Sequence, residues 1–376
     1  MKPRVLLVAR TRYQLPLDAT LLRRFEALSA VMIWRQFGTS ASGRRVTDDR
    51  FTLAARFPVG QLDGAAFYAA LPMRVAAEIR SFRPDVVVVQ GAQDTALVLA
   101  GRLLARADVP VVFDVHGDWH HSTRVYGSPL RRLLNPAADR LARIALERAD
   151  AVRTVSDHTT QLVGDYGVEP IATFPAYMDL APFRSSPPAP LPDEPRALFV
   201  GVLERYKAVD VLAAAWRRVV DILPSARLDI VGQGRLEGVV RELVDEPRLG
   251  VRWTPRLSTQ GVSDALDAAT VLVLPSRGEG MGRVIVEAFC RGRGVIGTAA
   301  GGIPDLIHDG DNGLLVPTED PAALAGALVR ALADRELAAR LGESAHRSAD
   351  RWASTPEEFA RQFRELVDAV IARAGS

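Results

Sequence analysis

Eight short, Val-rich apolar runs recur along the chain: Val5–Ala9, Val86–Gln90, Val111–Val115, Ala151–Val155, Ala197–Val200, Leu228–Val231, Val271–Leu274 and Gly294–Thr298. They are apolar at successive rather than alternate positions, so both faces of each must be covered. Helical patterns lie between them, including Leu21–Ser29, Ala138–Arg148, Asp210–Ile222 and Val262–Ala268. Strands of this kind separated by helices predict an α/β fold of parallel sheets with right-handed crossovers. At 376 residues the chain is too long for one ordinary core, so two domains are expected.

The natural place to divide them is Ser185–Pro195, where five of eleven residues are proline. Such a segment is extended and can be neither helix nor inner strand. This predicts a first domain over 1–184, a linker over 185–195 and a second domain over 196–354. From Thr318 the sequence becomes almost wholly helical and Ala-rich, ending in a helix over Pro356–Ala374.

Polar and glycine residues follow the strand ends: Gln90–Gly91, His116–Gly117, Ser156, Gly201 and Gly232–Gln233–Gly234. In open α/β sheets the ligand crevice lies outside the carboxyl ends of the strands. The richest such stretch is Pro275–Pro317. After the run Val271–Leu274 comes a loop with Gly278, Gly280 and Gly282, then an amphipathic helix from about Arg283. Glu279 stands in the loop and Glu287 early in the helix. The next run, Gly294–Thr298, opens through Gly301 and Gly302 into an expected second helix with Pro304 in its first turn. Two glycine turns side by side suit an anion, because the free N–H groups and dipole of a helix start point at it. A carboxylate on the helix can accept both hydroxyls of a ribose; one in the loop can bind sugar hydroxyls.

Apolar residues make up 48% and charged residues 24%, with a formal net charge of +2, which implies neither a nucleic-acid nor an acidic partner. Of the 47 basic residues only Lys2 and Lys207 are lysine. The arginine pairs Arg23–Arg24, Arg44–Arg45, Arg131–Arg132 and Arg217–Arg218 read as solvated helix faces, with weak contact of the first half to an anionic membrane surface left open. The single cysteine, Cys290, excludes an internal disulfide and reads as a small core residue. MKPRVLLVAR reads as a first strand, not a signal peptide, and no run has transmembrane length. A cytoplasmic protein is expected.

The stretch Pro275–Pro317 resembles the nucleotide-sugar signature of retaining GT-B glycosyltransferases of family 4. The resemblance is carried by Pro275-Ser276, Glu279-Gly280, Glu287-Ala288, Gly292, Gly294-Val295-Ile296, Thr298, Gly301-Gly302, Asp309-Gly310, Gly313 and Leu315-Val316. It extends to Gly201–Lys207, similar to a loop whose Arg and Lys hold the donor diphosphate, and to Leu228–Gly234, similar to the nucleotide-approach turn L-x-I-V-G-x-G. Val112–Gly117 resembles the strand carrying the acceptor-side His, and Thr154-Val155-Ser156 a strand end capped by Ser156 or Asp157. The resemblance implies two Rossmann-like domains facing a central cleft, with residues from about 355 crossing back to the first domain after Trp352.

The resemblance also implies a function: transfer of a sugar, with retention, from a nucleoside diphosphate sugar to a hydroxyl of a glycan, lipid-linked or small-molecule acceptor. Lys207 and Arg205 would hold the diphosphate with the N–H groups of Gly280, Met281 and Gly282. Gly232 and Gly234 would let the nucleotide approach the backbone, with Arg256 near the base, Glu287 on the ribose and Glu279 on the donor sugar. His116 would assist from the acceptor side, with Asp118, Trp119, His120 and Tyr126 forming a recognition loop whose aromatic rings suit sugars. The nucleotide sugar is a co-substrate; no cofactor and no metal are implied.

The chain departs from the family pattern in places. The usual Arg of the diphosphate loop is Val202, with Arg205 three residues on as a substitute. The loop expected at Thr11–Pro16 lacks the family's glycine pair, and Ala176–Asp179 keeps only the Asp of N-G-V-D. Asp309-Gly310-Asp311 spells a metal-type D-x-D but reads as a turn. A sugar-nucleotide epimerase or phosphorylase on the same fold, or an inactive nucleotide-sugar binder, remain as alternatives. A dinucleotide-dependent dehydrogenase is disfavoured, because the first strand lacks G-x-G-x-x-G.

Overall fold

All eight apolar runs fall in strands of the computed structural model, which describes residues 1–57, 63–119 and 135–375. One sheet contains β1 (Arg4–Tyr13), β2 (Ile33–Ser40), β3 (Val46–Thr47), β4 (Phe51–Ala54), β5 (Val86–Gln90), β6 (Val111–Val115), β7 (Ala151–Thr154) and β8 (Ala172–Thr173). Their order is β3-β4-β2-β1-β5-β6-β7-β8, parallel except for the β3–β4 pair. The other contains β9 (Arg196–Val200), β10 (Arg227–Val231), β11 (Val251–Thr254), β12 (Val271–Leu274), β13 (Gly294–Thr298) and β14 (Gly313–Val316). Its order is β11-β10-β9-β12-β13-β14, parallel throughout. Both are the doubly covered α/β sheets that the runs predict. Among the described residues no helix is long and apolar enough to cross a membrane.

Each sheet belongs to its own compact unit. The first holds the described residues up to Tyr177 together with the chain from Ser354 onward; the second spans Met178–Ala353. The helix Pro356–Ala374 is opened by a capping box between Thr355 and Glu358 and buries Phe359, Phe363, Leu366, Val367 and Val370 in the first unit's core. Those side chains pack with Phe25 and Leu28 of the helix Ala19–Val31, and the Arg364 guanidinium donates to Val31 O at 2.9 Å.

Three expectations are corrected. The proline-rich segment is not the divide: the units part between Tyr177 and Met178, and residues 185–195 belong wholly to the second. The physical reason lies in three arginines. Arg291 donates to Phe183, Ser186 and Pro187 carbonyls, Arg293 to Ala189 and Pro190, and Arg335 to Leu191 and Pro192. An extended segment without ladder partners thus finds its acceptors satisfied by guanidinium forks.

Second, Thr11–Tyr13 are not loop. They continue β1, paired at Arg12↔Thr39 and Tyr13↔Ser40 after a register shift, because the Tyr13 ring buries against Phe25 and Phe51. Third, Gly301–Gly302 lead into turns rather than a helix. Ile303 bonds back to Ala300 and Leu306 to Ile303, and Asn312 then accepts from His308 N and donates to Leu306 O, closing the segment before β14.

Candidate active site

In the second sheet β9 and β12 are neighbours, and the strand order reverses between them. The loops leaving their carboxyl ends therefore emerge side by side, which is where such sheets bind ligands. They are Gly201–Lys207 and Pro275–Gly282.

Lys207 ends a short 3-10 turn, Arg205–Lys207, and its side chain is largely buried, with Nζ 2.5 Å from Glu279 Oε1. The same carboxylate oxygen accepts from Ser276 Oγ at 2.7 Å, and the Thr298 hydroxyl donates to Ser276 O. Arg277 ties the two loops together. Its backbone N donates to Tyr206 O at 2.7 Å, its guanidinium donates to Arg205 O, and the same group pairs with Asp210 and Glu319. These two carboxylates and their hydrogen bonds outweigh partial burial and raise the Arg277 pKa above its usual value.

Glycine is required where these loops touch a third. At Gly301, φ is +57° and a Cβ would overlap Glu279 O, while Gly302 N donates to that oxygen at 2.8 Å. Gly232 likewise lies so close to Gly201 O that a Cβ would overlap it, and Gly232 O accepts from Trp253 Nε1 at 2.8 Å. The helix Arg283–Cys290 starts directly from Gly280–Gly282, with Met281 half-buried against the apolar core beneath.

Glu287 is not a solvated helix residue. It is buried, which pushes its carboxyl pKa up, and an ion pair with Arg283 Nε at 2.7 Å works in the opposite direction. Arg205 and Arg256 are both exposed, in the β9 loop and just after β11. Lys207, Glu279 and the Gly280–Gly282 helix start are therefore brought together with Gly232–Gly234 in one unit.

In the first unit His116 follows β6, half-exposed, with Nε2 2.8 Å from Asp114 Oδ2. Asp114 Oδ1 accepts from Arg153 Nη1 at 2.6 Å. Burial alone would raise the Asp114 carboxyl; Arg153 and His116 more than offset it and hold it below the usual carboxylate range. Asp118 is half-buried. Trp119 corrects the expectation of an exposed sugar-stacking ring: it is only 6% exposed, its centroid 6.2 Å from that of Phe113 and 5.8 Å from that of Tyr166. Its apolar surface is spent on the core of its own unit. His120 and Tyr126 lie outside the described residues.

Ser156 caps the helix Asp157–Gly164 in a capping box with Thr159. The D-x-D residues have structural partners: Asp309 Oδ1 accepts from Leu315 N at 2.9 Å and Asp311 Oδ1 from Ser344 Oγ at 2.6 Å.

Sequence reasoning did not single out Ser276, Arg277, Asp114 or Arg153 as residues that hold these groups. For the last two a signal existed. Each is the lone charge inside an apolar strand, and a buried charge demands a partner; the β6–β7 register places Asp114 opposite Arg153.

Residues 6–176 match the Glycosyl transferase 4-like domain, and residues 194–334 match Glycosyl transferases group 1. A D-inositol 3-phosphate glycosyltransferase of Streptomyces bingchenggensis is 33% identical over 255 residues, covering 61% of this chain and 54% of that protein. The chain spans about half the length of the curated relatives it matches. Sucrose-phosphate synthase from Thermosynechococcus elongatus superposes with a TM-score of 0.78 at 21% identity, covering 99% of this chain and 100% of that one. Anabaena HepE, solved in complex with UDP-glucose, gives 0.69 at 18% identity, covering 98% and 99%. At these identities the likeness is one of fold: two α/β domains with parallel sheets, the GT-B class.

Proposed function

The chain belongs to the glycosyl transferases group 1, and from that membership we propose that it transfers a sugar from a nucleoside diphosphate sugar to an acceptor hydroxyl, with retention of configuration. The observation that carries the reading is the Lys207–Glu279–Ser276 cluster, set at the reversal point of the second sheet beside the start of the helix Arg283–Cys290. A compact ammonium and a set of helix-start N–H groups suit a diphosphate. As the diphosphate departs it gains negative charge, and Lys207, Arg205 and the N–H groups of Gly280–Gly282 stabilise that charge with the protein's own groups. In this reading an incoming diphosphate competes with Glu279 for Lys207, and the released carboxylate turns to the hydroxyls of the donor sugar.

Glu279 Oε1 is shared by Lys207 and Ser276, which suits an orienting carboxylate better than a nucleophile and supports retention by attack on the face the diphosphate leaves. Glu287 takes the ribose, and Arg256 and the Gly232–Gly234 turn lie toward the base. On the first unit, His116 serves the acceptor hydroxyl. Because HepE is solved with UDP-glucose and with UDP, a uridine donor is the first to test. The relatives named for D-inositol 3-phosphate make a phosphorylated polyol the first acceptor.

The experiment is titration calorimetry with UDP, GDP, ADP and TDP, followed by assay of nucleoside diphosphate release from the matching sugar with acceptor. One nucleotide is expected to bind at micromolar affinity and Glu287→Ala to abolish that binding with folding preserved. Undiminished affinity in that variant would sink the ribose role, and no binding by any of the four at millimolar concentration would sink the donor reading.

A further inference from the structure

His116 leaves β6 two residues after Asp114, and side chains two apart on a strand share a face. Behind them stands Arg153, 1% exposed, inside the neighbouring strand β7. Its guanidinium is held through both terminal nitrogens, while the buried Nε has no hydrogen-bond partner among the described residues. Nη1 donates to Asp114 Oδ1 at 2.6 Å, Nη2 to the carbonyls of Phe174 and Pro175 at 2.5 and 3.0 Å, and its carbon lies 3.9 Å from the Phe174 ring centroid. Such an array is far more than is needed to join two strands that already share a backbone ladder.

The distances decide which ring nitrogen of His116 carries the proton. Nε2 is 2.8 Å from Asp114 Oδ2 but 3.5 Å from Arg153 Nη1. A contact of 2.8 Å between an ionised carboxylate and a ring nitrogen requires a hydrogen on that nitrogen, whereas 3.5 Å is at the limit of any hydrogen bond. We infer that Asp114 and Arg153 are positioning residues, which hold His116 as its Nε2–H tautomer and leave Nδ1 as the acceptor for the hydroxyl of the incoming substrate. The inference rests on the acceptor role proposed above for His116. Arg153 anchors and orients Asp114, Asp114 sets the tautomer, and Nδ1 aligns the substrate oxygen.

Asp114→Asn tests this sharply, because Arg153 must still be satisfied. The amide oxygen turns to the guanidinium, so the amide N–H faces Nε2 and donates to it, which forces the Nδ1–H tautomer and removes the acceptor. Nitrogen NMR of the histidine-labelled chain, with the His116 signals assigned through His116→Gln, reads the tautomer without any substrate. The wild type is expected to show protonated Nε2 and bare Nδ1, and the Asn variant the reverse. In the transfer assay the variant's kcat is expected to fall about a hundredfold or more, with KM for the donor unchanged.

A purely structural role for the pair would lower the melting temperature without moving the tautomer or separating kcat from KM. Protonated Nδ1 in the wild type overturns the inference, as does a folded Asn variant with reversed tautomer and wild-type kcat. If Asp114→Asn does not fold, the wild-type spectrum and Arg153→Lys decide instead; the latter keeps a cation on Asp114 and is expected to retain protonated Nε2. Absence of transfer with every donor would remove the proposed function, while the tautomer would still report whether Asp114 governs His116.

Discussion

Lys207 and Glu279 hold each other with little water about either, so a diphosphate that draws Lys207 toward itself is expected to loosen its hold on Glu279. Lys207→Ala is expected to weaken nucleoside diphosphate binding by about ten- to a hundredfold, since a charge-assisted hydrogen bond to phosphate is lost; calorimetry against the wild type measures it. Two further residues give predictions about protons. Asp94, at the start of the helix Ala92–Ala105, is buried with one carboxylate oxygen unpartnered, and its pKa is raised to about 7, mainly by that burial and despite Arg10. A carboxyl with a raised folded pKa keeps its proton when the unfolded chain has lost it, so stability falls as pH rises from about 4 to about 7. Asp94→Asn should therefore raise the melting temperature clearly at pH 8 and little at pH 4. Burial pushes the Cys290 thiol up to about 11, so a thiol reagent at pH 8 is expected to label the protein only after denaturation. Glu279 and His116 stood out in the sequence because one lies between glycines and the other follows a strand end, Lys207 because it is one of only two lysines, and Glu287 by its place eight residues after Glu279 in the resembling signature. Arg277 did not, and Ser276 entered only as part of the resembling signature: a serine or arginine in a loop looks the same whether it faces water or ties two loops together.

At the scale of elements, three backbone segments interlock around the candidate site, and glycine contacts join them alongside the side chains of Arg277, Lys207 and Glu279. Gly301→Ala would place a methyl on Glu279 O at a φ of +57°. An expected loss of about 1–3 kcal/mol in urea unfolding follows, together with weakened nucleotide binding, because Glu279 shifts with its own carbonyl. The inner strands were readable from their unbroken apolar runs. β2 was not, since Arg35, Gln36 and Gly38 interrupt it; Gln36 is nevertheless buried, donating to Leu7 O and Phe37 O. The short β8, β11 and β14 lie at or next to the sheet edges, where few positions need be apolar. The proline-rich segment misled for a related reason. Composition reports that it cannot form a ladder, but Arg291 and Arg293, about a hundred residues away, are what bind it down.

For the molecule as a whole, the first unit is built from two separated pieces of chain. Ending the chain at Ala353 would strip Phe359, Phe363, Leu366, Val367 and Val370 from its core. The first unit is then expected to lose its cooperative melting transition, while the second, whose described residues all lie within Met178–Ala353, retains its own in calorimetry. The same arrangement sets an order of assembly on the ribosome. The second unit is an insertion, so its whole sequence emerges and can fold while the first unit still lacks a wall. At ordinary elongation rates that interval is on the order of ten seconds or more. Throughout it the faces of Phe25 and Leu28 that pack against the helix Pro356–Ala374 are expected to lack that cover, so the part of the chain made first is the last to be completed.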